Sequence, residues 1–266
     1  SRVSRGLGDV YKRQGICGVG AGNGGTLTIT NCSSVCTINA NTCGGITGIN
    51  SGLNGTLIIE NCTFAGVLGA SSFESGGICG RSTANSSNSI VYVRGCQSTT
   101  DLIAEGQGGI IGGGAVTNFG FMEVRNCVCF GNIDTAIASN GSGGICGNFR
   151  HNFVAATITV ANCFMIGSIN GQDNGGIVGS EPLNITITNC FVGSTSITGS
   201  NNGGIAAPHM GYISPESIIR CCTVTSSIDG NNSGIAAINT GINRLLTNTN
   251  TDFTIESCNF IPFDNN

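Results

Sequence analysis

Two landmarks recur in fixed order along this chain, and a repeat of about 30–32 residues restricts it to a stack of similar units. The first landmark is a cysteine, usually preceded by asparagine: Cys32, Cys62, Cys96, Cys127, Cys163, Cys190, Cys221 and Cys258, spaced 27 to 37 residues apart. The second is Gly-Gly-Ile or a close variant, centred on Ile46, Ile78, Ile110, Ile145, Ile177, Ile205 and Ile235, with an orphan copy at Ile16. One supersecondary unit is therefore built about eight times.

Alignment on the cysteine shows what the unit is. Three residues before it stand Ile29, Ile59, Val93, Val124, Val160, Ile187, Ile218 and Ile255, all β-branched. Five before it are Leu27, Leu57, Val91, Met122, Ile158, Ile185, Glu216 and Phe253, where only Glu216 breaks the apolar pattern. The residues between are mostly polar, so each copy alternates with period two and reads as a strand with one buried face. A second short strand ends at an apolar residue such as Ile38, Leu68, Ile133, Ile169, Ile197 or Ile228, and the Gly-Gly-Ile segment makes a third. Three short strands cannot bury an apolar face alone; stacked in register they can, at ~4.8 Å per coil. Parallel strands joined by crossovers take the right hand. The expected fold is all-β, a right-handed parallel β-helix of about eight three-stranded coils, a rod of roughly 38 Å. The 44 glycines suit tight corners and a narrow interior.

The run Asn189-Cys190-Phe191-Val192-Gly193-Ser194, then Ser196-Ile197-Thr198-Gly199 and Gly203-Gly204-Ile205, resembles the GLUG-motif repeat of large bacterial surface proteins and of similar cell-surface proteins in some protists. The copy from Asn162-Cys163 to Gly175-Gly176-Ile177-Val178-Gly179 is the nearest to that motif. The resemblance covers nearly all of residues 15 to 261, with departures in the cysteine enrichment and in the loss of the final glycine at Ala207 and Ala237. It implies an extracellular or cell-surface β-solenoid, a stalk or adhesive segment, with no catalytic residues to carry over.

Residues 1–14 stand apart from the repeat and resemble translated sequencing-adaptor read-through; residues 15–266 read as one solenoid domain. Both ends of that domain fall inside a repeat, as expected of a fragment of a longer protein. Without residues 1–14 the chain keeps 6 Arg, no Lys and 13 Asp or Glu, a net charge of −7. Such a surface does not attract nucleic acid or anionic membranes. No run of 18 apolar residues is present, so no bilayer span is expected in this fragment.

The 15 cysteines are expected to pack as reduced thiols, the eight repeat cysteines in one column. Neighbours in register have Cβ atoms ~4.8 Å apart against about 3.8 Å in a relaxed disulfide, so bridges along the column would be strained. Cys17, Cys79 and Cys146 form a second column on alternate coils. Cys127-Val128-Cys129 and Cys221-Cys222 lack the spacing of a zinc site, and no metal or other cofactor is expected. Asn31, Asn61, Asn126, Asn162 and Asn189 share the position before the cysteine and are read as a buried amide ladder. Asn31 and Asn61 also lie in glycosylation sequons, as do Asn54, Asn85, Asn140, Asn184 and Asn231.

Much of the variation in repeat length falls after Gly-Gly-Ile, where insertions in a solenoid project from one edge. That edge carries both histidines, His151 and His209, with Arg81, Arg150, Tyr212, Glu216 and Arg244, and it is the expected contact surface for a glycan or a host or cell-surface protein. No catalytic residue is assigned. A polysaccharide lyase or hydrolase, the main alternative, needs a strong base or a close carboxylate pair, whereas Asp134 and Asp229 fall three coils apart, ~14 Å. An ice-binding Thr-x-Thr face, the second alternative, starts at Thr28/Thr30 and Thr186/Thr188 but is interrupted by Glu60, Tyr92, Arg94, Glu123 and Arg125. Glu60 and Arg94 read as a cross-coil ion pair.

Overall fold

The computed structural model describes residues 15–116, 120–135, 141–149, 156–180, 184–208, 217–237 and 253–262. Alternation builds the first wall: Thr26–Thr30, Thr56–Glu60, Ile90–Arg94, Phe121–Arg125, Thr157–Ala161, Ile185–Thr188, Ser217–Arg220 and Phe253–Glu256 stack as one eight-stranded parallel sheet. Short strands after the cysteines form a second wall, from Ser33–Ser34 up to Asn259–Pro262. The Gly-Gly-Ile segments close a third through single parallel bridges, such as Gly44 to Gly76 to Gly108. All pairing is parallel and no helix occurs among the described residues. The fold is the expected β-solenoid, with about six turns where about eight coils were expected; among the described residues the last unit has no third wall.

The interior is filled by columns that repeat once per coil. Ile59, Val93, Val124, Val160 and Ile187 are fully buried on the first wall, Ile46 through Ile205 on the third, and Phe64, Cys129, Met165 and Val192 on the second. The double glycine follows from this crowding. A Cβ on Gly76 would lie 2.1 Å from the Cys79 carbonyl oxygen, and one on Gly144 would lie 2.5 Å from Met165 Cγ. The first glycine clears backbone and the second clears the opposite wall.

Between the first and second walls the chain turns on a single left-handed residue. Asn31, Asn61, Asn126, Asn162 and Asn189 have φ of 52° to 55°, and Gly95, Cys221 and Ser257 take the same role at φ 61°, 52° and 51°. Asparagine is among the few side chains that adopt this conformation readily. The corner reverses the alternation, so these asparagines face outward: four are exposed and Asn162 is half-buried. The expectation of a buried amide ladder at this position is therefore corrected. One coil-to-coil amide bond remains there, Asn162 Nδ2 donating to Asn126 Oδ1 at 3.2 Å.

The seventh unit is also shifted by one from the sequence alignment. Ile187 pairs with Ile219 and Thr188 with Arg220, so Ser217 stands opposite Ile185 where Glu216 had been placed. Cys221 is the exposed corner residue and Cys222 the buried column residue. Adjacent cysteines made both alignments acceptable in one dimension; only one places Ile219 inside.

Candidate functional site

Of the residues expected at the variable-loop edge, Arg81 is described; Arg150, His151, His209, Tyr212, Glu216 and Arg244 lie outside the described residues. Arg81 follows the third-wall turn and is held in place. Its backbone carbonyl accepts from Asn50 N–H at 3.0 Å, and its Nη1 sits 3.0 Å from Glu74 Oε2. The pair is half-exposed on the arginine side, so it adds little stability but orients the guanidinium along the edge.

The outer face of the first wall gathers charge and aromatic surface. Arg94 lies 3.6 Å from Glu60 on one side and 2.9 Å from Glu123 on the other, and Glu123 also meets Arg125 at 3.4 Å. The Arg94 guanidinium carbon stands 4.2 Å from the Tyr92 ring centroid, and Tyr92 meets Phe121 edge-on at 5.7 Å. Sequence reasoning found the Glu60–Arg94 pair and missed the shorter Arg94–Glu123 one. The signal was present: the strands Ile-Val-Tyr-Val-Arg and Phe-Met-Glu-Val-Arg put Glu123 beside Tyr92, on the same outward face as Arg94 and diagonal to it.

The second wall carries an exposed apolar patch that sequence reasoning also passed over. Phe130, Phe164 and Ile166 are 44%, 43% and 45% exposed, and Phe164 and Phe191 lie 6.2 Å apart on adjacent rungs. They alternate with the inward Cys129, Met165 and Val192. Reading only the inward positions hid them.

Asp134 and Asp229 occupy one corner column, separated by Asn170 and Thr198. Asn170 Nδ2 donates to Asp134 Oδ1 at 2.9 Å, and Thr198 Oγ1 donates to Asn170 Oδ1 at 3.0 Å. Three rungs hold the two carboxylates ~14 Å apart. Inside the next corner lies a polar ladder at the residue before Gly-Gly-Ile: Ser142 N–H donates to Asn174 Oδ1 at 2.9 Å, Asn174 N–H to Asn202 Oδ1 at 2.8 Å, and Asn202 N–H to Asn232 Oδ1 at 2.8 Å. Asn174 and Asn202 are fully buried. The inward amides are thus one corner away from the expected position.

The thiol column is the most regular feature of the interior. Cys62, Cys96, Cys127, Cys163, Cys190 and Cys222 are buried, Cys32 and Cys258 half-buried, and these eight stand as thiols outside any disulfide. Each column thiol donates to the carbonyl two residues before it, from Cys32 to Thr30 at 3.3 Å to Cys258 to Glu256 at 3.3 Å. Each from Cys62 onward also approaches a carbonyl one coil away, as Cys127 does Val93 at 3.6 Å. Hydrogen bonding to neighbouring thiols holds Cys96 and Cys163 below the ordinary range. The same contacts, together with burial, push Cys62, Cys127, Cys190 and Cys222 up. Outside the column, burial raises Cys79 and Cys129 to about 12. Cys17, Cys79 and Cys146 do lie on alternate rungs of the third wall, with Thr47 and Ile111 between them.

Among the described residues no group of three or more His, Cys, Asp or Glu side chains could hold a metal ion, and no helix is long and apolar enough to cross a membrane. The chain matches no protein-family model, no curated protein and no solved structure.

Proposed function

We propose that this chain is a non-enzymatic solenoid that serves at the cell surface or in secreted material as a stalk or adhesive scaffold, contacting a glycan or a protein along one edge. The observation that carries this reading is the eight-rung parallel sheet in continuous register. A stack in which every rung bonds only to its neighbours is a rigid spacer whose length is set by the number of repeats. The resemblance to GLUG-type surface repeats points the same way. A ligand edge follows from the loops after the third wall, where chain length varies without disturbing the rungs. The enzyme reading lacks a matching geometry in the one carboxylate column noted, because a glycosidase pair stands within about 10 Å.

A glycan and cell-surface binding screen with the purified chain, followed by Ala substitution of Arg150, His151, His209 and Tyr212 together, tests this. Binding should be lost while the β-sheet circular dichroism is unchanged. Binding that survives there and disappears on Arg94→Ala with Arg125→Ala would put the contact on the strand face. Release of unsaturated or reducing sugar ends from an acidic polysaccharide would establish the enzyme reading instead.

A further inference from the structure

The thiol column repeats one side-chain geometry through the rod. From Cys32 to Cys258 every column sulfur donates to the carbonyl two residues earlier at 3.2 to 3.4 Å. With the rotamer fixed in this way, sulfur follows sulfur at the rung spacing of ~4.8 Å. That gap is far too wide for the ~2.05 Å bond of a disulfide. It is close to the ~4.6 Å spanned by two metal–sulfur bonds of ~2.3 Å laid end to end. A column supplies two sulfurs per gap and no third ligand, in keeping with the absence of any three-donor cluster among the described residues. Zinc, which requires four donors, does not fit. Soft monovalent ions that accept two thiolates in a line do.

We infer that the cysteine column is a binding site for monovalent, two-coordinate d10 cations, copper(I) or silver(I), held one per gap between successive sulfurs. The chemistry is proton displacement with no change of oxidation state. The first cation replaces two S–H protons and forms a linear S–M–S unit with one net negative charge. The next cation, in an adjoining gap, uses one sulfur already ionised; it displaces one further proton and adds one positive charge, so the chain keeps a single negative charge at any length. Because an isolated anion in this interior is disfavoured, neighbouring gaps fill together.

The test uses the reduced full chain, titrated with silver(I) under nitrogen and followed by native mass spectrometry, silver X-ray absorption and circular dichroism. Expected are two masses in coexistence, the free chain and a multiply loaded one. The first shell should hold two sulfurs, the β-sheet spectrum should persist, and zinc(II) at the same concentration should give no loading. Cys127→Ser removes a sulfur shared by two gaps and should lower the maximum loading by two ions. Cys129→Ser, a buried thiol outside the column, should lower it by none. Three or four sulfurs per silver, loading accompanied by loss of the β-sheet spectrum, or equal loss in the two variants would each overturn the inference.

Discussion

The corner asparagines show how much one backbone angle decides. At Asn126 the φ of 55° turns the chain from the first wall to the second, and the side chain is exposed. Its value to the fold is conformational. Asn126→Gly should therefore leave the thermal midpoint nearly unchanged, whereas Asn126→Ala should lose about 1 kcal/mol, because a Cβ without a local polar partner is disfavoured in the left-handed region. Equal losses in both variants, measured by chemical denaturation, would mean that the amide contact with Asn162 dominates. The cysteine after the corner was legible in the sequence because it recurs; the direction of the asparagine was not, since parity counting assumes extended chain through every position. The same assumption placed the amide ladder at Asn31 to Asn189, while the buried one runs through Asn174 and Asn202 to the half-buried Asn232. Outward-facing Asn31 and Asn61 leave their sequons accessible.

At the scale of a wall, what matters is the column. Arg94 bridges Glu60 and Glu123 over Tyr92 and joins three consecutive rungs, but its side chain is 39% exposed. A double-mutant cycle on Arg94 and Glu123 should give a coupling of about 0.5–1 kcal/mol that falls with added salt. A coupling insensitive to salt would assign the contact to packing on the ring. The buried thiols give a second element-scale prediction, with a definite sign. Cys79 and Cys129 have an ordinary value of 9.0 and are raised to about 12 in the fold. The unfolded chain releases these protons first, so stability contributed by the neutral thiols is intact below pH 9.0 and declines as pH rises toward about 12. The slope should reach about 1.4 kcal/mol per pH unit for each thiol. Cys79→Ala with Cys129→Ala should flatten that decline, and an unaltered decline would place its origin elsewhere. Sequence spacing revealed which residues line each column because the period survives insertions. It did not reveal which outward neighbours touch, since Arg94 reaches Glu123 only through a register that repeat intervals of 27 to 37 residues leave open.

For the whole molecule, quasi-one-dimensional stacking implies that a unit can be removed without loss of the fold. Deleting Cys163 to Asn189 joins Asn162 to Cys190, so the corner asparagine again precedes a column cysteine. Val160 would then face Ile219 across a rung, both of them inward-pointing. The shortened chain should keep its β-sheet spectrum and unfold cooperatively. Its longest dimension in solution scattering should fall by about 4.8 Å, one rung. Deleting Cys163 to Thr188 instead leaves two asparagines at the corner and shifts one residue into the wall. The side chains after it would exchange faces, with Phe191 turned inward and Val192 outward. That variant should lose several kcal/mol, since buried and exposed positions are interchanged along a strand. Equal stability in the two deletions would show that the rungs slide freely and that register is not what holds the rod together.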